Sequence, residues 1–300
     1  MTSKKDDHIV TPPACPGPAW PVKSATRFRV PAGAVDTHAH VIGLPPEYPF
    51  VDQRSYTPPE ATPAAYLEML DRSGMTFGVL VQVSVHGTDN RLMVKTLKAN
   101  PQRLRGIAVV SPDVDSAELA ILKDAGVVGL RLNVLYGGGI GFDALESYGA
   151  MARELGWHLQ FLVSATDLRA LAPRIAKLQV PIVIDHWGHF PVSRGLSDPG
   201  YLALETLVRD GAWVKLSGAY RNTVSGPPYT DTVPFVQRLH AAAPDRCVWG
   251  SDWPNVSHWG PMMNVGDLLD LLADWVPDPV ARDRVLVDNA HRLYGFNSGR

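Results

Sequence analysis

Eight short apolar segments alternate with amphipathic helical segments from Ala34 onward, and this alternation limits the possible folds more than any other feature of the sequence. Short apolar runs rich in β-branched residues are typical of buried parallel strands. The candidate strands are Ala34–His40, Gly78–Val83, Arg105–Val110, Gly129–Asn133, His158–Leu162, Ile182–Asp185, Trp213–Leu216 and Cys247–Gly250. Strands that alternate with helices predict a parallel sheet joined by crossover helices.

The number of units favours a closed barrel over an open sheet. Eight strand–helix units in about 265 residues match the length of a TIM barrel. An open, doubly wound sheet would have a glycine-rich phosphate loop after the first strand, but the sequence there is HAHV. We therefore predict an α/β fold, a distorted (β/α)8 TIM barrel in a single domain over residues 31–300, preceded by an irregular, proline-rich arm over residues 1–30.

The composition excludes several classes of protein. The formal net charge is −2 at pH 7, which gives no bulk attraction to nucleic acid or to an anionic membrane. No segment has the apolar length of a membrane helix or a signal peptide. Only two cysteines occur, Cys15 and Cys247, which favours a reducing compartment. We expect a cytoplasmic monomer or homodimer that acts on a small molecule.

Polar residues lie at the carboxyl ends of the predicted strands, where a barrel places its catalytic groups. His38 and His40 end the first strand on the same side, because alternate residues of a strand face the same way. Two such imidazoles can converge on one metal ion or one substrate oxygen, although an isolated HxH pattern is a weak signal. Other strands add Ser84 and His86 after the second, Arg131 and Asn133 at the fourth, His186 at the sixth, Arg221 after the seventh and Asp252 after the eighth.

Asp252 is the candidate for the central chemical role. The surrounding SDWP also suits a turn, so the carboxylate can simply stabilise a loop. Facing three imidazoles, however, it would be poised as a general base for water or as a metal ligand. Asp185 is expected to be structural, because it points to the opposite side of its strand from His186 if the strand stays extended there. His189 and His258 are expected on the surface.

The sequence resembles the amidohydrolase superfamily, in its branch of 2-pyrone-4,6-dicarboxylate hydrolases and related lactonases. The resemblance runs from about residue 34 to residue 296 and rests on VDTHAHVIG, VLVQVSVHGTDN, RGIAVV, GLRLNVL, PIVIDHWG, WGSDWPN and DNAHRLYGF. It implies a distorted TIM barrel in which an aspartate activates water to open a small anionic lactone, carboxylated or sulfonated, such as sulfomuconolactone or a pyrone dicarboxylate-like compound. Enzymes of this kind would serve aromatic degradation or sugar-acid breakdown.

The resemblance also implies roles for individual residues. Asp252 would be the base, and His38, His40 and His186 would face the lactone carbonyl. The expected substrate-binding residues are Tyr56, Ser84, His86, Arg131 and Arg221.

Two positions depart from the pattern of the pyrone dicarboxylate hydrolases. Gly137 stands where those enzymes have a second arginine, and Leu162 stands where they have a tyrosine. A dicarboxylate needs paired charged donors to offset its desolvation. The departures therefore point to a different anionic lactone.

The role of metal is left open by the sequence. His38, His40, His186 and Asp252 form a possible ligand set for one divalent ion, Zn²⁺ or Mn²⁺, and the family includes members that need no metal. A two-metal centre is not expected, because no lysine stands at a predicted strand end and no histidine follows the seventh strand.

Other functions on the same scaffold also stay open. They are a sugar-diacid lactone isomerase, a decarboxylase, and an inactive barrel that binds a small acid. The intact set of imidazoles and aspartate favours an enzyme.

Overall fold

The structure, a computed structural model, describes residues 12–296 of the 300-residue chain. Eight parallel strands pair in chain order, each with the next. They are β1 (Val35–Ala39), β2 (Phe77–Val81), β3 (Leu104–Ala108), β4 (Val127–Asn133), β5 (His158–Leu162), β6 (Ile182–Ile184), β7 (Trp213–Leu216) and β8 (Cys247–Trp249). The prediction of an eight-stranded α/β barrel is confirmed.

The barrel closes through backbone contacts just beyond the end of β8. The amide of His40 donates to the carbonyl of Trp253 at 2.8 Å, and the amide of Asp252 donates to the carbonyl of His38 at 2.9 Å. The segment that carries Asp252 is therefore hydrogen-bonded directly to the strand that carries the two histidines.

Helices cover the outside of the barrel. They are α1 (Pro63–Ser73), α2 (Arg91–Ala99), α3 (Ser116–Asp124), α4 (Leu145–Leu155), α5 (Ala165–Ile175), α6 (Pro199–Arg209), α7 (Ala219–Asn222), α8 (Val233–Ala242), α9 (Val265–Trp275), α10 (Pro279–Asp283) and α11 (Asn289–Tyr294). A π-helical turn, Arg284–Asp288, joins the last two, and short 3₁₀ turns cover Ser84–His86, Val192–Arg194 and Thr230–Thr232. Asp185–His189 is a left-handed turn. Within residues 12–296 no helix combines the length and apolar character needed to cross a membrane.

The inner face of the barrel changes from apolar to polar toward the carboxyl ends of the strands. One apolar cluster contains Val35, Val79, Val81, Ile107, Val183, Trp213, Val248, Ala290, Tyr294 and Phe296. In the sheet register Gln160 lies beside Val183 and Arg131 lies beside Gln160, and neighbours in register share a face. Lys215, two residues after Trp213, shares that face and is fully buried. Polar side chains thus fill the upper part of the barrel.

The first part of the described chain has little regular structure. Residues 12–33 form no helix or strand apart from an isolated bridge between Ala14 and Thr57. The indole of Trp259 donates to the carbonyl of Ala14 at 2.7 Å, so this segment contacts the loop after β1 and the loop after β8. Residues 1–11 of the predicted arm lie outside the described residues, and the division into arm and domain stays a prediction.

Candidate active site

Three histidine rings surround one carboxylate oxygen at the carboxyl end of the barrel. The Nε2 atoms of His38, His186 and His40 lie 3.7, 3.6 and 3.9 Å from Oδ1 of Asp252. All four side chains are buried. Oδ1 of Asp252 and Nε2 of His38 have no hydrogen-bond partner. The structure therefore brings together the four residues that the strand ends singled out.

The backbone that carries these groups is regular for two of them and left-handed for the other two. His38 lies in β1 and His40 directly follows it. His186 has φ +48° and Asp252 has φ +57°, a conformation that costs a non-glycine residue about 1–3 kcal/mol and is concentrated at functional sites. The left-handed turn after Ile184 directs His186 toward Asp252.

Asp36 fixes the segment that precedes Asp252. Its carboxylate accepts hydrogen bonds from the amide of Ser251 at 2.7 Å and from the hydroxyl of Ser251 at 2.8 Å. Tyr66 of α1 donates to the same carboxylate at 3.3 Å. Burial raises the pKa of Asp36 to about 6, although the hydrogen bonds from Ser251 oppose that shift. Asp36 thus links β1 to the loop of the candidate base.

Asp185 lies inside the site, so the expectation that it points away from His186 is wrong. Its Oδ1 lies 3.2 Å from Nδ1 of His38, and its Oδ2 accepts from Nε of Arg131 at 3.2 Å and from the amide of Gln160 at 3.0 Å. The expectation assumed an extended strand. Because β6 ends at Ile184 and the backbone then turns, both side chains face inward.

Lys215 lies next to His38, although the sequence did not indicate it as a site residue. Its Nζ donates to the side-chain oxygen of Gln160 at 2.7 Å and to the carbonyl of Thr37 at 2.8 Å, and lies 3.2 Å from Nδ1 of His38. Burial lowers its pKa to about 8. Its place in the middle of an apolar strand gave no signal beyond the charge itself.

The three imidazoles are neutral at physiological pH. Burial, and after it the positive charge of Arg131, lower the pKa of His40 to about 4. Burial also lowers the pKa of His38 and of His186 well below the ordinary range. Nδ1 of His40 lies 2.8 Å from the carbonyl of Val81. A carbonyl only accepts, so Nδ1 carries the proton and Nε2 presents a lone pair to the site.

Asp252 is ionised despite its burial. Desolvation, the largest single effect, raises the pKa of this buried carboxyl group, but Arg221 and the three neighbouring histidines together outweigh it, and the pKa of Asp252 lies well below its ordinary value. Its Oδ2 accepts from the hydroxyl of Tyr220 at 2.6 Å and from Nε of Arg221 at 2.7 Å. Its Oδ1 instead faces the lone pair of His40. Two acceptors in contact need a cation or a proton between them.

Two groups of buried side chains have the spacing to bind a metal ion. Ligand atoms of His38, His40 and Asp252 lie within 4.8 Å of one another, and so do those of His38, Asp185 and His186. Imidazole nitrogens and carboxylate oxygens suit zinc and other transition metals. The unpartnered acceptors fit such an ion, and Asp185 joins the candidate ligands that the sequence analysis named.

Arg221 and two tyrosines form one wall of the site. The terminal nitrogens of Arg221 donate to the hydroxyl of Tyr136 at 2.9 Å and to the carbonyl of Val256 at 3.1 Å. The ring of Tyr136 packs edge-on against that of Tyr56, with centroids 5.9 Å apart, and the hydroxyl of Tyr56 lies 3.4 Å from Ser84 Oγ. These contacts link three of the expected substrate-binding residues.

The other two expected substrate-binding residues differ in their surroundings. Arg131 is buried, and its Nε pairs with Asp185. Its terminal nitrogens make one long contact, 3.5 Å from Nη1 to the carbonyl oxygen of Gln82. The ring of His86 lies 3.2 Å from the carbonyl of Pro49 and packs against Phe50. Its hydrogen bond is to the first loop and not to the histidine–aspartate group.

His189 and His258 are half-buried, which differs from the expectation of surface positions. The ring of His189 packs against those of His186 and Tyr136, with centroids 5.3 and 6.3 Å apart. The ring of His258 lies 4.7 Å from that of Tyr220. Both histidine rings therefore pack against residues of the site.

Gly137 lies where two loops meet. Its amide donates to Ser55 Oγ at 2.8 Å, and a Cβ atom at this position would overlap the carbonyl oxygen of Gln53. A larger side chain therefore requires the loop to move. The loop after β4 packs closely at Gly137 because glycine has no side chain, and this position carries no second arginine.

Comparison with known proteins relates this site to one family. The Amidohydrolase family model matches residues 35–296. The chain is 38% identical to a 4-sulfomuconolactone hydrolase of Rhizobium radiobacter, over 94% of this chain and 96% of that protein. It is 36% identical to a 2-pyrone-4,6-dicarboxylate hydrolase of Comamonas testosteroni, over 90% and 93% of the two chains. The crystal structure of a probable 2-pyrone-4,6-dicarboxylic acid hydrolase from Acinetobacter baumannii, with citric acid bound, matches with a TM-score of 0.78 and 30% identity, over 88% of this chain and 100% of that one.

The protonation of His40 is directly measurable. We expect long-range nitrogen–proton NMR spectra to show the neutral form with the proton on Nδ1 throughout pH 5–8, with protonation only as the pH falls through about 4. Because the folded pKa lies below the unfolded value, the unfolded chain binds more protons, and the free energy of unfolding falls as the pH drops below about 6.5. His40→Gln assigns the resonance. A midpoint near pH 6.5 would show that the ring is not desolvated as described.

Proposed function

The chain belongs to the amidohydrolase family, and from this we propose that it hydrolyses the ester ring of a small lactone that carries an anionic group. The observation that carries the proposal is the free Oδ1 of Asp252, an ionised oxygen in contact with three neutral imidazoles. A buried carboxylate with one free oxygen is suited to remove a proton from water. The names of the curated relatives support a lactone as the substrate.

Asp252 acts first as base and then as acid. Oδ1 takes a proton from a water molecule while the water oxygen attacks the lactone carbonyl carbon. The same oxygen then delivers the proton to the ring oxygen as the ring carbon–oxygen bond breaks. One water is consumed, and the product carries a new carboxylate and a new hydroxyl group. Because the oxygen is ionised, it is ready as a base at neutral pH.

One divalent ion, Zn²⁺ or Mn²⁺, fits the donor set of His38, His40, His186 and Asp252. It would supply Lewis-acid polarisation of the lactone carbonyl. The fit rests on His40, because a neutral imidazole that donates through Nδ1 has no Nε2 proton to offer a developing oxyanion. Lys215 and Asp185 contact Nδ1 of His38 and orient that ring toward the carbonyl.

Arg131, Tyr56 and Ser84 bind the anionic group of the substrate in this proposal. The terminal nitrogens of Arg131 remain available, whereas those of Arg221 contact Tyr136 and the backbone. Burial raises the pKa of Tyr56, so its hydroxyl is a neutral donor. His86, which follows β2, is the remaining member of this substrate-binding set, and its ring contacts the carbonyl of Pro49.

The loop at Gly137 argues against a pyrone dicarboxylate as the preferred substrate. Desolvating two carboxylates requires paired charged donors, and Gly137 supplies no charge where the resembling pyrone hydrolases have an arginine. Its close approach to Gln53 also leaves no room for a longer side chain. Because two 4-sulfomuconolactone hydrolases are among the relatives of this chain, we propose 4-sulfomuconolactone or a similar anionic lactone as the preferred substrate.

A panel of anionic lactones tests this function. The purified protein, as isolated, after chelation and after return of Zn²⁺ or Mn²⁺, is assayed with product mass spectrometry. We expect one water consumed per lactone, a higher kcat/KM for the sulfonated lactone than for the pyrone dicarboxylate, and loss of turnover on chelation that either metal restores. The opened ring gains the mass of one water; where one carbon then carries both the new hydroxyl and a sulfonate, the product releases sulfite to leave a ketone, and the two products together account for the added water. Conversion without a mass change would indicate an isomerase, release of carbon dioxide a decarboxylase, and binding without conversion an inactive barrel. Full activity of metal-free protein would remove the metal from the proposal.

Asp252→Asn tests the base. The amide has nearly the same shape but cannot accept the proton of water, so we expect kcat to fall by about 10²-fold or more while substrate binding remains measurable by calorimetry. Asp113→Asn, an exposed position, is the matched control and should leave kcat unchanged. If Asp252→Asn retained most of the activity, Asp252 would not be the base.

A further inference from the structure

The two oxygens of Asp252 have opposite surroundings. Oδ2 accepts a hydrogen bond from the hydroxyl of Tyr220 at 2.6 Å and another from Nε of Arg221 at 2.7 Å. Oδ1 accepts none. An isolated carboxylate has two equivalent oxygens, either of which can take a proton. Here the donors on one side make the oxygens different.

Tyr220 is well placed to impose this difference because its own position is fixed. It lies in the short helix α7, next to Arg221, and its ring is buried. The guanidinium carbon of Arg221 lies 4.7 Å from the centroid of the Tyr220 ring, and the centroid of the His258 ring also lies 4.7 Å from it. With the ring packed in this way, the hydroxyl has a fixed direction toward Oδ2.

The hydroxyl of Tyr220 can act on Asp252 only as a donor. A phenolic hydroxyl carries its proton at neutral pH, and the carboxylate oxygen 2.6 Å away can only accept. A short hydrogen bond from a neutral hydroxyl to a carboxylate is among the stronger hydrogen bonds in proteins. Arg221 has further partners in Tyr136 and Val256, whereas the hydroxyl of Tyr220 contacts Asp252.

We infer that Tyr220 is a positioning residue for the reaction: its hydroxyl holds Oδ2 of Asp252, so that Oδ1 alone faces the imidazoles and exchanges the proton with water. The inference rests on the proposed function, since it concerns the base of that reaction. Tyr220 lies behind the carboxylate relative to the imidazoles and does not touch the reacting atoms. Its effect is on the orientation of the base and not on substrate affinity.

Tyr220→Phe removes the hydroxyl and keeps the ring. We expect kcat to fall roughly ten- to a hundredfold, the range for loss of one charge-assisted hydrogen bond, with KM within about twofold of the wild-type value. Tyr201→Phe is the matched control, because Tyr201 is also a buried tyrosine whose hydroxyl donates one hydrogen bond, to the carbonyl of Phe235 at 2.7 Å between α6 and α8. It should lower the melting temperature to a similar extent and leave kcat unchanged.

A double-mutant cycle separates positioning from a general structural role. In the Asp252→Asn background, Tyr220→Phe should have little further effect on kcat, because the base that it orients is gone. A purely structural tyrosine would reduce kcat by the same factor in both backgrounds. A wild-type kcat in folded Tyr220→Phe, or equal factors in the two backgrounds, would overturn the inference and leave lactone hydrolysis intact. Absence of lactone turnover by the wild-type protein would instead overturn the proposed function.

Discussion

The ion pair between Asp252 and Arg221 is the interaction on which the rest of the site depends. A buried carboxylate without a partner costs several kcal/mol and becomes protonated instead. Arg221 at 2.7 Å keeps Asp252 ionised, and Tyr220 shares the same oxygen. The consequence is that Arg221 is committed to the protein's own carboxylate. For this reason the proposed function assigns recognition of the anionic group of the substrate to Arg131, Tyr56 and Ser84.

A second polar layer supports the histidines from within the barrel. Asp185 contacts Arg131, Gln160 and His38, and Lys215 donates to Gln160. The carboxylate of Asp185 pairs with two cations, Arg131 and Lys215, which allows these ionised groups to lie in a buried space. The layer fixes the ring of His38, whereas the ring of His40 contacts the carbonyl of Val81 and that of His186 contacts Ser217 Oγ.

The sequence predicted the fold and the centre of the site because both depend on regular patterns. Eight apolar segments define the strands, and parallel strands bring their carboxyl ends together, which unites His38, His40, His186 and Asp252. It failed where the backbone leaves the pattern. Asp185 was misjudged because a period of two cannot show that β6 ends at Ile184 and turns left-handed.

Tyr220 and Lys215 could not be predicted as site residues, because residues of these types more often have a structural role or lie at the surface. In the sequence Tyr220 looks like a core aromatic and Lys215 like a charge within a strand, and only their contacts with Asp252 and His38 place them in the candidate site. The central claim is that Asp252 activates water and does not attack the lactone itself. A single turnover in water enriched in heavy oxygen, followed by mass spectrometry of the product and of the Asp252 peptide, tests it most directly. If Asp252 activates water, we expect one heavy oxygen in the new carboxylate of the product and none in the Asp252 peptide. Label in the peptide together with an unlabelled product would show that Asp252 attacks the lactone itself.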